Sequence, residues 1–367
     1  MGDVRPSARS LDEALARVAD GGRLVADECL AVARDANLLR LAAAADGVRR
    51  RMNPAQAVTY VVGRNVNYTN VCWVRCKFCA FYRVPGSDGG YVLPLEAILQ
   101  KIEEMVDVGG TEVLLQGGLN PSLKIDWFEE LFRAVKRGFA DKTVTLHALS
   151  PAEAIYIARI SRLTLPETLD RLRAAGLDSM PGGGAEILTD RVRREISPHK
   201  DTADEWIDCM RVAHGLGIRT TATMMYGSID TWEDRVEHLM RIRDLQDETS
   251  GFTAFIPWSF QPDGTELGGS RASAVDYLRT VAVSRLALDN VPHMQASWVT
   301  QGPRVAQIAL GYGLDDFGST MMEENVVSAA GCRFTMPIDE LERQIRAAGY
   351  EPIRRDTQYE PIPGPKT

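Results

Sequence analysis

The chain has no surplus of positive charge. Among its 367 residues, 42 Lys and Arg stand against 50 Asp and Glu, for a net charge of −8. The two signs are mixed and no basic arm stands out, so nucleic acid is not expected as a partner. Residues Met1 to Ser10 contain no apolar core of the kind a signal peptide needs. No apolar run approaches the length that crosses a bilayer. Both absences predict a cytoplasmic location and no membrane partner. Cysteine is scarce, six residues in all. A disulfide framework is a poor reading for so long a chain without an export signal. Cys29, Cys209 and Cys332 lie far apart and read as packing residues.

What is present is a core-forming composition, 45% hydrophobic, and an alternation of patterns. Ser10 to Met52 reads as helical, with Ser10-Leu-Asp-Glu13 resembling a capping box. After Asn53-Pro54, β-branched strands and helices alternate. Val58–Val62 leads toward the cysteines, and further strands are expected at 112–116, 144–147, 177–180, 219–225, 252–258, 293–299 and 314–317. About eight strand–helix units imply parallel strands with right-handed crossovers. They predict an α/β fold, a (β/α)8 TIM-type barrel, with an open doubly wound sheet as the alternative. The expected layout is an N-terminal helical extension over 1–54, the barrel over 55–335, and a C-terminal helix with a mobile proline-rich tail over 336–367. A barrel places function at the C-terminal ends of its strands.

The unusual residues fall at such ends. Cys72, Cys76 and Cys79 follow the first strand with spacing C-x3-C-x2-C. Structural zinc takes four protein ligands, and catalytic zinc three plus water. Iron–sulfur clusters ordinarily take four cysteines. No fourth cysteine is nearby, so the trio predicts a four-iron cluster with one iron left open, against zinc or plain packing. Gln116-Gly117-Gly118, His147, Glu186, Tyr226 and Trp258 also follow strands. The glycines also fit a flexible turn, and Trp258 also fits barrel packing. Ser150 fits a helix cap before Pro151. His199, His214 and His238 read as surface residues.

The cysteine run with Phe78 before Cys79 resembles the radical S-adenosylmethionine (SAM) enzymes. Asn67-Tyr-Thr-Asn70, Phe81-Tyr-Arg83, His147-Ala-Leu-Ser-Pro151, Gly183-Gly-Ala-Glu186 and Gly318 to Asn325 are similar to the futalosine-pathway and deazaflavin-cofactor synthases. Pro181 to Leu188 and Phe255 to Pro262 are most similar to the branch that cyclises dehypoxanthine futalosine in menaquinone biosynthesis. The likeness runs from about Leu11 to Ala348.

That resemblance implies a [4Fe-4S] cluster on Cys72, Cys76 and Cys79, with SAM on the open iron. It implies a 5′-deoxyadenosyl radical that takes the ribose C4′ hydrogen. The C4′ radical then adds to the benzoate ring, and loss of one electron and one proton restores aromaticity. It implies SAM contacts from Phe78, Gln116, Gly117, Gly118, Ser150, Glu186, Arg191 and Arg194. Here the order Gln-Gly-Gly replaces the family's Gly-Gly-Glu, which leaves backbone contacts as the inference. Asn70, Tyr226, Trp258 and Gln261 are the expected substrate residues. Glu323, Glu324 and His147 are the expected proton acceptors; on a strand only one of the adjacent glutamates can face the mouth. An electron donor such as flavodoxin or ferredoxin is implied as a partner.

Overall fold

The computed structural model describes residues 8–362. Three helices come first among the described residues: α1 (Ala8–Ala19), α2 (Ala26–Asp35) and α3 (Leu38–Met52). Ser10 lies within α1 rather than at its cap. Asn37 caps α3 by accepting from the backbone N–H of Leu39 and Arg40. Leu41, Ala45 and Val48 of α3 join the main hydrophobic core, so the extension packs on the barrel.

Ten strands follow among the described residues: β1 (Ala57–Val61), β2 (Gly63–Val66), β3 (Glu112–Leu115), β4 (Thr145–Ala148), β5 (Ser179–Met180), β6 (Arg219–Tyr226), β7 (Phe252–Ser259), β8 (His293–Met294), β9 (Asp316–Ser319) and β10 (Glu351–Arg354). Strands β2 to β8 form one parallel sheet in sequence order. β9 pairs in parallel with β1 and touches β8 through the bridge Gln295–Asp316. Because β1 runs on into β2, β9 brings the two edges of the long sheet together. This is the predicted barrel.

Helix starts follow the local chemistry that the sequence displays. Ser150, Thr164, Thr202 and Thr231 each form a capping box with an acid three residues on. Proline at the first turn of the helices at 151–161 and 165–175 gives up no needed N–H.

Four departures from expectation matter. The first strand is divided at Val62, and only β2 carries the chain to the cysteines. The strand expected over His293–Val299 is two residues long, because the chain turns into the short helix Trp298–Gln301. His238 is fully buried, not on the surface, its Nδ1 accepting from the Leu188 N–H; His214 is half-buried between Thr220 and Thr249. The tail is not a loose end within the described residues. β10 pairs with β1, and Arg355 makes a bidentate contact with Asp316 at 2.6 and 3.0 Å. Tyr359 stacks on His293 at 4.1 Å and lies under Arg355. The segment thus covers the end of the barrel from which the strands start.

Candidate functional site

One cavity of about 400 Å³ occupies the barrel and opens at the strand ends. Cys72, Cys76 and Cys79 line it together with Phe78, Gln116, Gly117, Gly118, Glu186 and Trp258. The three thiols come from the loop after β2, anchored by its own backbone: Cys72 N–H donates to Arg83 O, and Lys77 N–H to Ile196 O. Burial pushes the Cys76 and Cys79 thiols up; N–H groups of Tyr82 and Phe81 partly offset this at Cys79. Bound metal would favour the thiolates instead. Among the described residues, no three His, Cys, Asp or Glu side chains converge as a single-ion site. The three thiols nevertheless line one cavity, and three soft thiolates without a fourth protein ligand suit an iron–sulfur cluster better than a structural zinc site, which takes four.

The glycines are needed for close approach. A Cβ on Gly118 would stand 2.3 Å from Val71 O and 2.9 Å from Cys72 Cβ. One on Gly117 would stand 2.7 Å from the Tyr68 ring. The N–H groups of Gly117 and Gly118 go to Glu153 and Thr69. Their carbonyls accept no hydrogen bond among the described residues. Gly118→Ala is expected to displace the cysteine loop. Iron content after anaerobic reconstitution should fall at least severalfold, while far-UV circular dichroism stays parental. Full iron occupancy in the variant would contradict this packing argument.

Glu186 lines the cavity in left-handed backbone, φ 46°, conformation that costs energy for a non-glycine residue. Arg75, Leu149 and Met321 share that feature, each in a loop following a strand. Strain of this kind collects at functional sites; among the described residues four of the seven such positions stand near this mouth, while Arg162 and Ser250 end helices and Tyr359 lies in the tail. Glu186 Oε1 accepts from Lys200 Nζ at 2.6 Å, both side chains being buried. Burial alone would lower the Lys200 pKa, but Glu186 and Cys76 outweigh it and the net direction is up. Lys200 also sits 5.7 Å from the Phe78 ring centre.

Two cavity residues escaped the sequence reading. Lys200 gave no signal, since a lysine in a Pro-His-Lys turn reads as exposed. Glu153 did give one, because Ser150-Pro-Ala-Glu153 is a capping box. Its carboxylate accepts from Tyr68 OH (2.7 Å), Gly117 N–H (2.9 Å), Ser150 N–H (2.7 Å) and Ser150 Oγ (2.6 Å). Burial raises its pKa against those donors. Ser150 therefore works as a cap and a support for Glu153, although it does line the cavity.

Several expected site residues lie elsewhere. Tyr226 is buried behind the barrel wall, its ring 4.5 Å from the Arg235 guanidinium. Thr221 and Thr223 of β6 face the cavity, so alternation turns Tyr226 outward. Gln261 folds back onto Ser259 O and Oγ, both at 3.1 Å. Arg191 is held by Asp234 and Ile229 O, and Arg194 by Asp190 on the exposed side of its helix. None of these four lines the cavity. Asn70 does, but its amide ends hold Gly89 O and the Tyr91 N–H.

The proposed proton acceptors separate. Glu323 points into a neighbouring recess, bound by Arg64, Lys101 and Asn325. Burial would raise its pKa, but those partners bring it down. Glu324 lines the main cavity and accepts backbone N–H from Val326, Val327 and Ser328; burial nevertheless raises its pKa. His147 lines the cavity, with Nδ1 2.7 Å from Ser179 Oγ. Burial, with Arg355 adding to it, lowers its pKa to about 3.

A histidine near 6.5 when unfolded and about 3 when folded leaves the native state binding fewer protons between those values. Stability is therefore complete above about pH 6.5 and lost as pH falls toward 3. His238, also lowered to about 3 by burial, acts in the same direction. His147→Gln should flatten the acid limb of a stability-versus-pH curve; an unchanged limb would contradict the assignment.

Three cysteines lining a hollow at the mouth of a parallel barrel are the arrangement of a class, the barrel enzymes that carry an iron–sulfur centre. The pattern of the radical SAM superfamily matches residues 66–242, and that of the CofH/MqnC C-terminal region matches residues 249–367. A cyclic dehypoxanthine futalosine synthase of Halalkalibacterium halodurans is 48% identical over 96% of this chain and 95% of its own. An aminodeoxyfutalosine synthase of Thermus thermophilus is 39% identical over 94% of each. In solved structures, methylornithine synthase (PylB) superposes with a TM-score of 0.73 at 19% identity, covering 93% of this chain and 97% of its own, which bears out the fold. The chain belongs to the radical SAM superfamily and, within it, to the CofH/MqnC family. Its members use a [4Fe-4S] cluster and SAM. No helix among the described residues is long and apolar enough to cross a membrane.

Proposed function

We propose that this enzyme cyclises dehypoxanthine futalosine, joining ribose C4′ to the benzoate ring with net loss of two hydrogens. The observation that carries the reading is the single cavity running from the three cysteines to Trp258, in a chain nearly half identical to a synthase of that name over almost its full length. When bound, the cluster and SAM supply a 5′-deoxyadenosyl radical.

The chain's own residues do the rest. Cys72, Cys76 and Cys79 hold the metal. The Gly117 and Gly118 carbonyls receive the methionyl amine, and Glu186 takes the ribose hydroxyls. Lys200, beside Glu186, is the cation available for the methionyl carboxylate, in place of Arg191 and Arg194. Trp258 offers a flat face to the benzoate ring. Holding ring and C4′ together makes the addition effectively unimolecular. The covered barrel end excludes water. Of the candidate proton acceptors, Glu324 is favoured: it faces the cavity, whereas Glu323 is turned away and His147 is too weak a base near neutral pH. A soluble low-potential electron donor completes the system, and the cytoplasm is the compartment that fits it.

Product mass analysis tests the reading. With substrate deuterated at ribose C4′, one deuterium should appear in 5′-deoxyadenosine and the product should be two hydrogens lighter. Unlabelled 5′-deoxyadenosine, or turnover only with an aminodeoxyfutalosine synthase substrate, would overturn it.

A further inference from the structure

We propose that the outer face of the cysteine loop is the docking surface for a small acidic one-electron carrier protein. This rests on the reading of Cys72, Cys76 and Cys79 as cluster ligands. Iron–sulfur clusters exchange single electrons, and transfer falls steeply with distance, so a carrier must sit directly over the buried centre.

Aromatic groups lead from that centre outward. Trp73 follows Cys72, and its indole lies 5.7 Å from the Tyr156 ring and 6.2 Å from the His199 imidazole, centre to centre. The planes are tilted by 31° and 29°. Tyr156 is half-buried and His199 exposed, so the group reaches the surface. Tyr156 is also within electrostatic range of both Cys72 and Arg159. The Trp73 Nε1–H is buried and finds no partner, a cost that bulk packing does not explain.

Around this patch stand cations with nothing to pair with. Arg75, Lys124, Arg159 and Arg162 are all exposed. None of their side chains makes a hydrogen bond or ion pair among the described residues. The Ile125 N–H bonds Ser161 Oγ at 3.0 Å, which brings Lys124 beside Arg162. The bordering acids are already committed, Glu195 to Lys77 and Asp126 to Arg171.

Elsewhere the chain behaves otherwise. Its net charge is −8, so the chain as a whole repels an acidic protein. A local cationic face would orient such a partner and speed encounter. The aromatic patch is small, which suits the weak, short-lived complexes of redox partners. In the transfer, the carrier loses one electron and the cluster gains it; no atom or proton moves.

The test is anaerobic stopped-flow reduction of the cluster-loaded enzyme by flavodoxin hydroquinone, with SAM and substrate omitted. Arg159→Glu with Arg162→Glu should lower the second-order rate constant about tenfold at low salt and flatten its dependence on ionic strength. Reduction by dithionite and iron content should stay parental. Lys124→Glu alone should act in the same direction more weakly. An unchanged flavodoxin rate would overturn the proposal, as would a parallel loss of dithionite reduction. Equal binding of the parental enzyme to an RNA oligomer or to anionic vesicles would also overturn it, by showing a general anion surface. No substrate is present, so the outcome is independent of which futalosine derivative the enzyme accepts.

Discussion

Cys76→Ser should leave the enzyme almost without iron and without measurable SAM cleavage, the largest functional loss expected of any single substitution. The reason is stoichiometric. A cluster held by three thiolates has no spare ligand on the protein, and a serine oxygen is a poor substitute for a soft thiolate toward iron. The other three cysteines cannot help. Cys29 and Cys209 are fully buried in the core, and Cys332 donates to Val299 O at 2.9 Å. Cys332→Ser is therefore the matched control and should retain parental iron. Iron and sulfide analysis, with absorbance near 400 nm, separates the two variants. A Cys76→Ser protein that keeps its iron and still forms 5′-deoxyadenosine would place the centre elsewhere.

The contrast between these cysteines is legible in the sequence. Spacing alone marked Cys72, Cys76 and Cys79, because three thiols within eight residues have few other uses. The strand–helix alternation marked the barrel, and barrel geometry then put the metal loop at the mouth. Side-chain direction was not legible. Tyr226 and Trp258 both stand at strand ends, yet Trp258 shares a face with Ile256 on the cavity while Tyr226 takes the opposite parity from Thr221 and Thr223. A one-residue offset reverses the answer, and composition does not set that offset. Nor was the tail legible. Proline-rich sequence near the terminus reads as loose, but the covering of the barrel depends on long-range pairs, Arg355 with Asp316 and Tyr359 with His293. Arg191 and Arg194 stand outside the cavity for a different reason: Arg191 pairs with Asp234, 43 residues along the chain, and Arg194 with Asp190 one helical turn away. Positive-φ strain at Glu186 has no local sequence cue at all.

Lys200→Met should weaken both the fold and SAM binding, and a second substitution can tell the two effects apart. Removing the ammonium leaves Glu186 in the barrel wall without its partner at 2.6 Å. Losing one half of a buried pair costs about 3–5 kcal/mol, because the remaining charge keeps its desolvation penalty. A thermal or urea midpoint should fall accordingly. Lys200→Met with Glu186→Gln removes both charges and should recover most of that loss. If Lys200 serves only the fold, the double variant should bind SAM as the parent does. If it holds the methionyl carboxylate and Glu186 the ribose, the double variant should be stable yet bind SAM at least tenfold more weakly. Isothermal calorimetry on the cluster-loaded proteins measures this directly. Parental affinity in the stable double variant would strip both residues of the cofactor role and leave them a structural pair. Lys200→Arg offers the complementary check. It keeps the charge but puts a larger, planar head where Lys200 Nζ is buried 2.6 Å from Glu186 Oε1. Affinity should then fall less than in the double variant, because the cation survives while its geometry does not.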